Sequence, residues 1–273
     1  MCYGVKARTE MSLRIAKSRG DQEAVAKLTK LLSPFPELFD TGAEAVSLHY
    51  ANAFTHPKLV VYTDAAPGDP QLAIWGLVPA WVKDNTQRAQ LWNQTLNARG
   101  ESIFEKPAFR TSARNKRCIV HVEGFYEHHH FGKKTYPYFI SVKGRAQFAL
   151  AGLWEEWTDK ETRERMRTFS IVTTEGNDLL KRIHNKPGSG PGGQPSGPRM
   201  PVILTEEEED QWLAPIHTAA DEETIRALIR PFPAEAMTAH TVAPLLGKDG
   251  KGNSEAASEP FDYPELLLAD PLA

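Results

Sequence analysis

From about Val46 to Leu204 the chain passes through one strand-like segment after another, and these do not alternate regularly with helices. "VSLHYANAF" and "KLVVYTDAAPGD" alternate apolar and polar residues, the period-two pattern of a half-buried strand, with turn residues between them. "QLAIWGLVPAW" is a buried strand that runs into a turn, because Pro79 cannot donate to a central ladder. "NKRCIVHVEGFYEHHHFGKKTYPYFISV" supplies two strands around a glycine turn, a hairpin, and "RAQFALAGLWEEWTD", "MRTFSIVTTEGN" and "RMPVILT" add further strands. Parallel neighbours need long crossovers, usually helical. Without them the sheet must be mainly antiparallel. The expected class is α+β: a mainly antiparallel, barrel-like β core with peripheral helices.

The helices fit around that core. One spans about Glu10 to Leu32 and is ended by "SPFP"; "LWNQTLNARGESIFEKPAF" is a polar loop followed by a short helix; "NDLLKRIH" is another short helix. "TEEEEDQWLA" starts a helix with acidic residues in its first turn, where the helix dipole favours them. At 273 residues, 41% hydrophobic and 25% charged, the chain can build a sizeable core. The domain plan is a single domain over 1–246, carrying a flexible Gly/Pro/Ser insertion at 186–198, then a low-complexity tail over 247–273. No run approaches the roughly 18 apolar residues of a membrane span, and the first thirty residues are too charged for a signal peptide. Two cysteines cannot form a disulfide framework, so a reduced, cytoplasmic setting is expected. The formal net charge of −3 argues against coating nucleic acid by bulk charge but leaves room for a local basic groove.

The chemistry begins at "MCYG". Removal of Met1 would give Cys2 a free α-amine beside its thiol, with a reference amine pKa of about 7.7–8.0. Such an aminothiol can form a Schiff base with an aldehyde and close it to a thiazolidine; alternatively its thiolate can attack an acyl carbon. Against this stands the plain alternative of an inert small thiol. In "HVEGFYEHHH" a period of two puts His121, Glu123, Phe125, Glu127 and His129 on one face. A glutamate there is either a solvated hairpin end or a carboxylate held for acid–base work. Consecutive His128, His129 and His130 point to alternating faces and cannot converge on one ion, so no metal site is expected. Asn97 and Arg99 in "NARGES" are either turn residues or a carboxamide and a guanidinium for substrate and phosphate. His184 ends a short helix, as a cap or as a proton carrier.

The ordered set "MC", "WGLVPAW", "NARGES", "RCIVHVEGFYE", "SIVTTEGN", "IHN" and "RMPVIL" resembles the SOS response-associated peptidase (SRAP) family from Cys2 to about Leu213. The resemblance implies binding of single-stranded DNA containing abasic sites, and a covalent thiazolidine link to the abasic aldehyde through the mature N-terminal Cys2. It implies catalytic roles for Cys2, Asn97, Glu127 and His184, with Asn97 positioning cysteine and sugar and His184 assisting ring opening. Glu123 matches a neighbouring, less critical acid. Arg99 matches a phosphate contact, Arg110 is expected to contact DNA with it, and Trp75 or Trp81 of "WGLVPAW" is expected to stack on a base. Arg99, Arg110, Arg114, Lys116 and Arg117 cluster in sequence and suggest a phosphate groove.

The implied enzyme is an abasic-site crosslinking, lyase-like protein with autoprocessing peptidase activity. It needs no cofactor, acts as a monomer away from membranes, and moves from cytoplasm to nucleoid on DNA damage. Two alternatives stay open: an N-terminal-nucleophile cysteine peptidase or amidohydrolase, and a DNA-binding module whose chemistry has lapsed. The chain also departs from the family pattern. Tyr3 and Gly4 stand where the family has glycine and a phosphate-contacting arginine, His128 replaces a tryptophan, and the Gly/Pro/Ser stretch separates His184 from "RMP".

Overall fold

The computed structural model describes residues 2–32, 47–186, 188–189, 195–266 and 272. The chain opens with β1 (Gly4–Arg8) and a helical pair, α1 (Thr9–Arg19) and α2 (Gln22–Leu31). Then come β2 (Ser47–Asn52), β3 (Lys58–Thr63), β4 (Ala66–Trp75), α3 (Asn85–Trp92), β5 (Asn97–Arg99) and α4 (Arg110–Asn115). The central run is β6 (Arg117–Val122), β7 (Gly124–Phe131), β8 (Lys134–Val142), β9 (Phe148–Thr158) and β10 (Arg165–Glu175). Helix α5 (Asp178–Ile183) precedes β11 (Gly188–Ser189), β12 (Pro195–Ser196), β13 (Arg199–Pro201) and β14 (Ile203–Leu204). Helices α6 (Glu206–Leu213) and α7 (Ala219–Leu228) and strand β15 (Met237–Thr241) complete the set.

Strands β10, β4, β3, β6 and β9 pair in that order, and β9 returns to β10, so five strands close a barrel. The β4–β10 seam is parallel and the other barrel pairings are antiparallel. A second sheet, ordered β15-β8-β7-β1-β2, is antiparallel throughout. The expected α+β, barrel-like architecture is present. Its core is made by the inward residues of both sheets, including Leu59, Val61, Trp75, Val120, Phe125, Tyr138, Leu150 and Phe169.

One junction joins the two sheets. The chain leaves the barrel at Val122 and enters the second sheet at Gly124, with Glu123 between them. A Cβ at position 124 would lie 2.2 Å from the Phe139 ring and 2.7 Å from the Ile140 carbonyl oxygen, so only glycine fits this close approach. The Glu123 carboxylate takes two hydrogen bonds from the Arg8 guanidinium, at 2.7 and 2.6 Å, which ties β1 to the switch.

Several local expectations are corrected. The helix expected over Glu10–Leu32 is two helices, divided where Gly20 turns left-handed and the Asp21 side chain caps α2 by accepting from the Ala24 amide. "SPFP" lies outside the described residues. The expected two-strand hairpin is three strands, because β6 and β7 belong to different sheets and only β7 and β8 form the hairpin. Asn97–Arg99 is not in a loop but is a short strand held parallel to β10, with α3 before it. "RMPVILT" is split into β13 and β14 at Val202, whose amide donates to Val172 and whose carbonyl accepts from Ala151.

Within the Gly/Pro/Ser stretch, Gly188–Ser189 pairs with Pro195–Ser196, and 190–194 lie outside the described residues. The segment expected as a low-complexity tail over 247–273 is anchored to the fold at several points where it is described, although most of those residues are exposed. Ala257 and Leu266 are buried, the Tyr263 hydroxyl donates to the Val242 carbonyl, and Asn253 accepts from the His49 and Tyr50 amides of β2.

Candidate active site

The site is assembled by three registers. Pairing of β1 with β7 sets Gly4 opposite Tyr126 and Val5 opposite Phe125, so the residues just before β1 run alongside Glu127. Pairing of β5 with β10 sets Asn97 beside Ile171, and from there the Asn97 Nδ2 donates to the Cys2 carbonyl at 2.9 Å. Helix α5 is capped by Asn177, whose side chain accepts from the Leu180 amide, and it ends so that the His184 Nδ1 lies 3.0 Å from Glu127 Oε2. Four residues from four distant parts of the sequence therefore meet: Cys2, Asn97, Glu127 and His184.

Cys2 is buried, with its Sγ 3.8 Å from the Gly4 carbonyl oxygen. Burial, and next the negative charge of Glu127, push its thiol up to about 12. The thiol is therefore protonated at neutral pH. For Glu127, 6% exposed, burial works in the opposite direction to its partners. The His184 hydrogen bond, then the charge of the N-terminal amine and that of His184, with the His128 amide donating to Oε1 at 3.0 Å, outweigh burial and hold the carboxyl below its ordinary value. The Asn97 Oδ1 is buried without a hydrogen-bond partner among the described residues. A donor from a bound molecule fits such an acceptor.

Two further residues fix this arrangement: Asn185, which sequence reasoning passed over, and His129, which it weighed only as a metal ligand on the Glu127 face. Asn185 clamps the turn after α5 to β7: its Oδ1 accepts from the His130 amide at 2.8 Å and its Nδ2 donates to the His130 carbonyl at 2.7 Å. Buried His129 faces the same turn, its Nδ1 3.0 Å from the Ile183 carbonyl oxygen. The signal was present in "IHN", where an asparagine directly follows the histidine. His184 is thus tied on both sides, although the Gly/Pro/Ser stretch begins two residues later.

The other candidates divide. Arg99 follows Asn97 by two on β5 and stands near Tyr3, whose phenol feels its positive charge. Arg110 is exposed at the start of α4, where its carbonyl accepts from the Arg114 guanidinium. Trp75 is corrected as a stacking residue: it has no exposed surface, and its Nε1 donates to the Leu96 carbonyl at 2.8 Å, so no base can reach it. Trp81 is 48% exposed. The suggested phosphate groove is corrected in part. Arg117 is fully buried and gives its guanidinium to the carbonyls of Ala113, Arg114, Trp212 and Ala214; Lys116 pairs with Glu155, and Arg114 with Glu222.

Position four is also explained: a Cβ on Gly4 would meet the Tyr50 ring at 2.7 Å, so aromatic packing fills the place of a larger side chain. No group of three or more His, Cys, Asp and Glu able to hold a metal occurs among the described residues. None of their helices is long and apolar enough to cross a membrane. A cavity of about 320 Å³ lies between α1, α2, β6 and α6, and none of the four meeting residues lines it.

The family model for SOS response associated peptidase (SRAP) matches residues 11–249. The chain belongs to the SRAP family. Its similarity includes "Abasic site processing protein YoaM" of Bacillus subtilis, 37% identical over 182 residues that cover 66% of this chain and 71% of that protein. "Abasic site processing protein HMCES" of Gallus gallus is 27% identical over 62% of this chain and 51% of its own length. Among solved structures, a protein from Bacteroides thetaiotaomicron superposes with a TM-score of 0.75 at 33% identity, over 95% of this chain and all of the other. Cys2 lies before the stretch that the family model matches, so its place in this SRAP chain rests on the geometry around it.

Proposed function

We propose that this SRAP protein captures abasic sites in single-stranded DNA as a thiazolidine on Cys2, once Met1 has been removed. The observation that carries the proposal is the convergence of Asn97 on the Cys2 carbonyl with buried Glu127, whose charge reaches the Cys2 thiol and which half-buried His184 partners. The names of the relatives support the choice of lesion, and the meeting of Cys2, Asn97, Glu127 and His184 supports the chemistry.

The sequence of steps follows from protonation states. The thiol, pushed up to about 12, is a poor nucleophile at rest, so the α-amine attacks first. Its lone pair adds to the C1′ aldehyde of the ring-opened sugar and gives a carbinolamine. That intermediate loses water to give an iminium, with the leaving hydroxyl protonated through the His184–Glu127 pair. The thiol sulfur then adds to the iminium carbon, the C=N electron pair returns to the ring nitrogen, and the thiol proton goes back to the His184–Glu127 pair, replacing the one given to the leaving water. Amine, aldehyde and thiol become a thiazolidine and one water, with no oxidant or reductant. The Asn97 Oδ1 takes a hydrogen from a sugar hydroxyl, which satisfies its buried acceptor. Arg99 holds a backbone phosphate, and outward-facing Trp81 stacks on a neighbouring base.

The same raised thiol weighs against the acyl-transfer alternative, which needs a thiolate before any substrate arrives. Cys2→Ser separates the steps. It keeps the amine and loses the sulfur, so it is expected to give an adduct with abasic DNA only when borohydride reduces the Schiff base, whereas the wild type gives a stable adduct without reductant. A Cys2→Ser adduct that is stable without borohydride would overturn thiazolidine closure.

A further inference from the structure

The surface next to His184 carries a group of residues that the lesion chemistry does not use. At the β7–β8 turn Phe131 is 43% exposed, and Lys133 beside it is exposed. Asn185 fastens this turn to the end of α5 through both polar atoms of its side chain. Those bonds bring Lys186 within electrostatic range of His130, and exposed Arg182 stands four residues earlier on α5, the helix that this turn is fastened to. Two neighbouring cations are already paired, Lys134 with Glu265 and Lys181 with Asp178. Lys133, Arg182 and Lys186 have no carboxylate within ion-pair distance among the described residues, so their charge faces solvent.

An exposed aromatic ring among unpaired cations is the arrangement that takes single-stranded nucleic acid, with stacking on the ring and phosphates on the charges. It is continuous with the site. Strand rise of about 3.3 Å per residue puts His130 about 10 Å along β7 from Glu127, a distance covered within a few nucleotides. We propose that Phe131, Lys133, Arg182 and Lys186 form a flank-binding surface for the single strand on one side of the abasic site. The proposal rests on the abasic-site reading above. It gives the protein a second foothold, on the side of the site where the helix–turn carries His184.

Equilibrium binding to oligonucleotides with a tetrahydrofuran abasic analogue tests this, since that analogue has no aldehyde to trap. The measurement compares a short oligonucleotide with ones extended on the 5′ or the 3′ side, over a series of salt concentrations. For one extended oligonucleotide, the Lys133→Ala, Arg182→Ala, Lys186→Ala triple variant is expected to lower the salt slope of log Kobs by about 2, at about 0.7 per phosphate contact. Phe131→Ala is expected to weaken binding of that same oligonucleotide roughly five-fold or more without changing its slope. Both variants should bind the short oligonucleotide, and form adducts with its true abasic form, as the wild type does.

Slopes and affinities equal to wild type on every oligonucleotide would overturn the flank surface while leaving the lesion reading intact. A wild-type chain that neither binds the analogue nor forms an adduct would overturn the lesion reading, and the flank surface with it. All four positions are exposed, so unchanged thermal melts will accompany the expected result.

Discussion

Glu127 is 6% exposed, and burial on its own would favour its neutral form; the His184 ring at 3.0 Å, the charge of the N-terminal amine and the His128 amide together reverse that preference. This sets the pH dependence of stability. A carboxyl held below its ordinary value of 4.5 adds stability above that value and loses it as pH falls through the lowered folded value. Thermal melts of wild type and Glu127→Gln should therefore show a constant difference above about pH 4.5 that closes as the pH falls below it. The same substitution removes the proton relay, and adduct formation is expected to slow by about 10²–10⁴-fold. Glu123→Gln supplies the contrast. Its carboxylate is occupied by Arg8, so it is expected to lower the melting temperature and leave the adduct rate within a few-fold of wild type. Equal kinetic losses in the two variants would contradict the separate roles given to these acids.

At the scale of elements, the site depends on where strands and turns end. Asn185 makes two hydrogen bonds to the β7 backbone, and losing both costs on the order of 1–3 kcal/mol. Asn185→Ala is expected to slow adduct formation while Cys2 and Glu127 stay in place, measurable by gel-resolved crosslinking rates. Much of this level was legible in the sequence. The alternation in "KLVVYT", the acidic first turn of "TEEEEDQWL" and the short helix "NDLLKRI" carry local signals strong enough to read, and all three elements form.

What was not legible depends on distant partners. Nothing local in "NARGES" says strand, because Asn97–Arg99 is held by the edge of β10 some seventy residues on. Nothing local in "HVEGFYE" announces that Glu123 marks a change of sheet, since strand-forming residues continue on both sides of it. Trp75 reads as an exposed platform or a core residue equally well until the Leu96 carbonyl is seen on its indole.

Across the whole molecule, the closed barrel is a frame against which β1 and the C-terminal segment are both laid. The Lys6 Nζ donates to the Ser258 hydroxyl at 2.7 Å, and Leu266 is buried in the main core, so residues written in low-complexity composition support the strand that follows Cys2. Burying one leucine side chain contributes about 1.5–3 kcal/mol. Truncation after residue 252 is therefore expected to lower the melting temperature by several degrees or more and to weaken adduct formation with it; a truncated chain with wild-type melting would contradict this support. Every claim about chemistry depends on Cys2 being the first residue of the working protein. The measurement that tests this most directly is the intact mass of the purified chain after incubation with a single-stranded oligonucleotide carrying one abasic site, beside Cys2→Ala. The account predicts a species equal to the chain without Met1 plus the oligonucleotide less one water, stable without reductant and absent from the variant. A free, Met1-less chain that binds this DNA and gains no mass would contradict it.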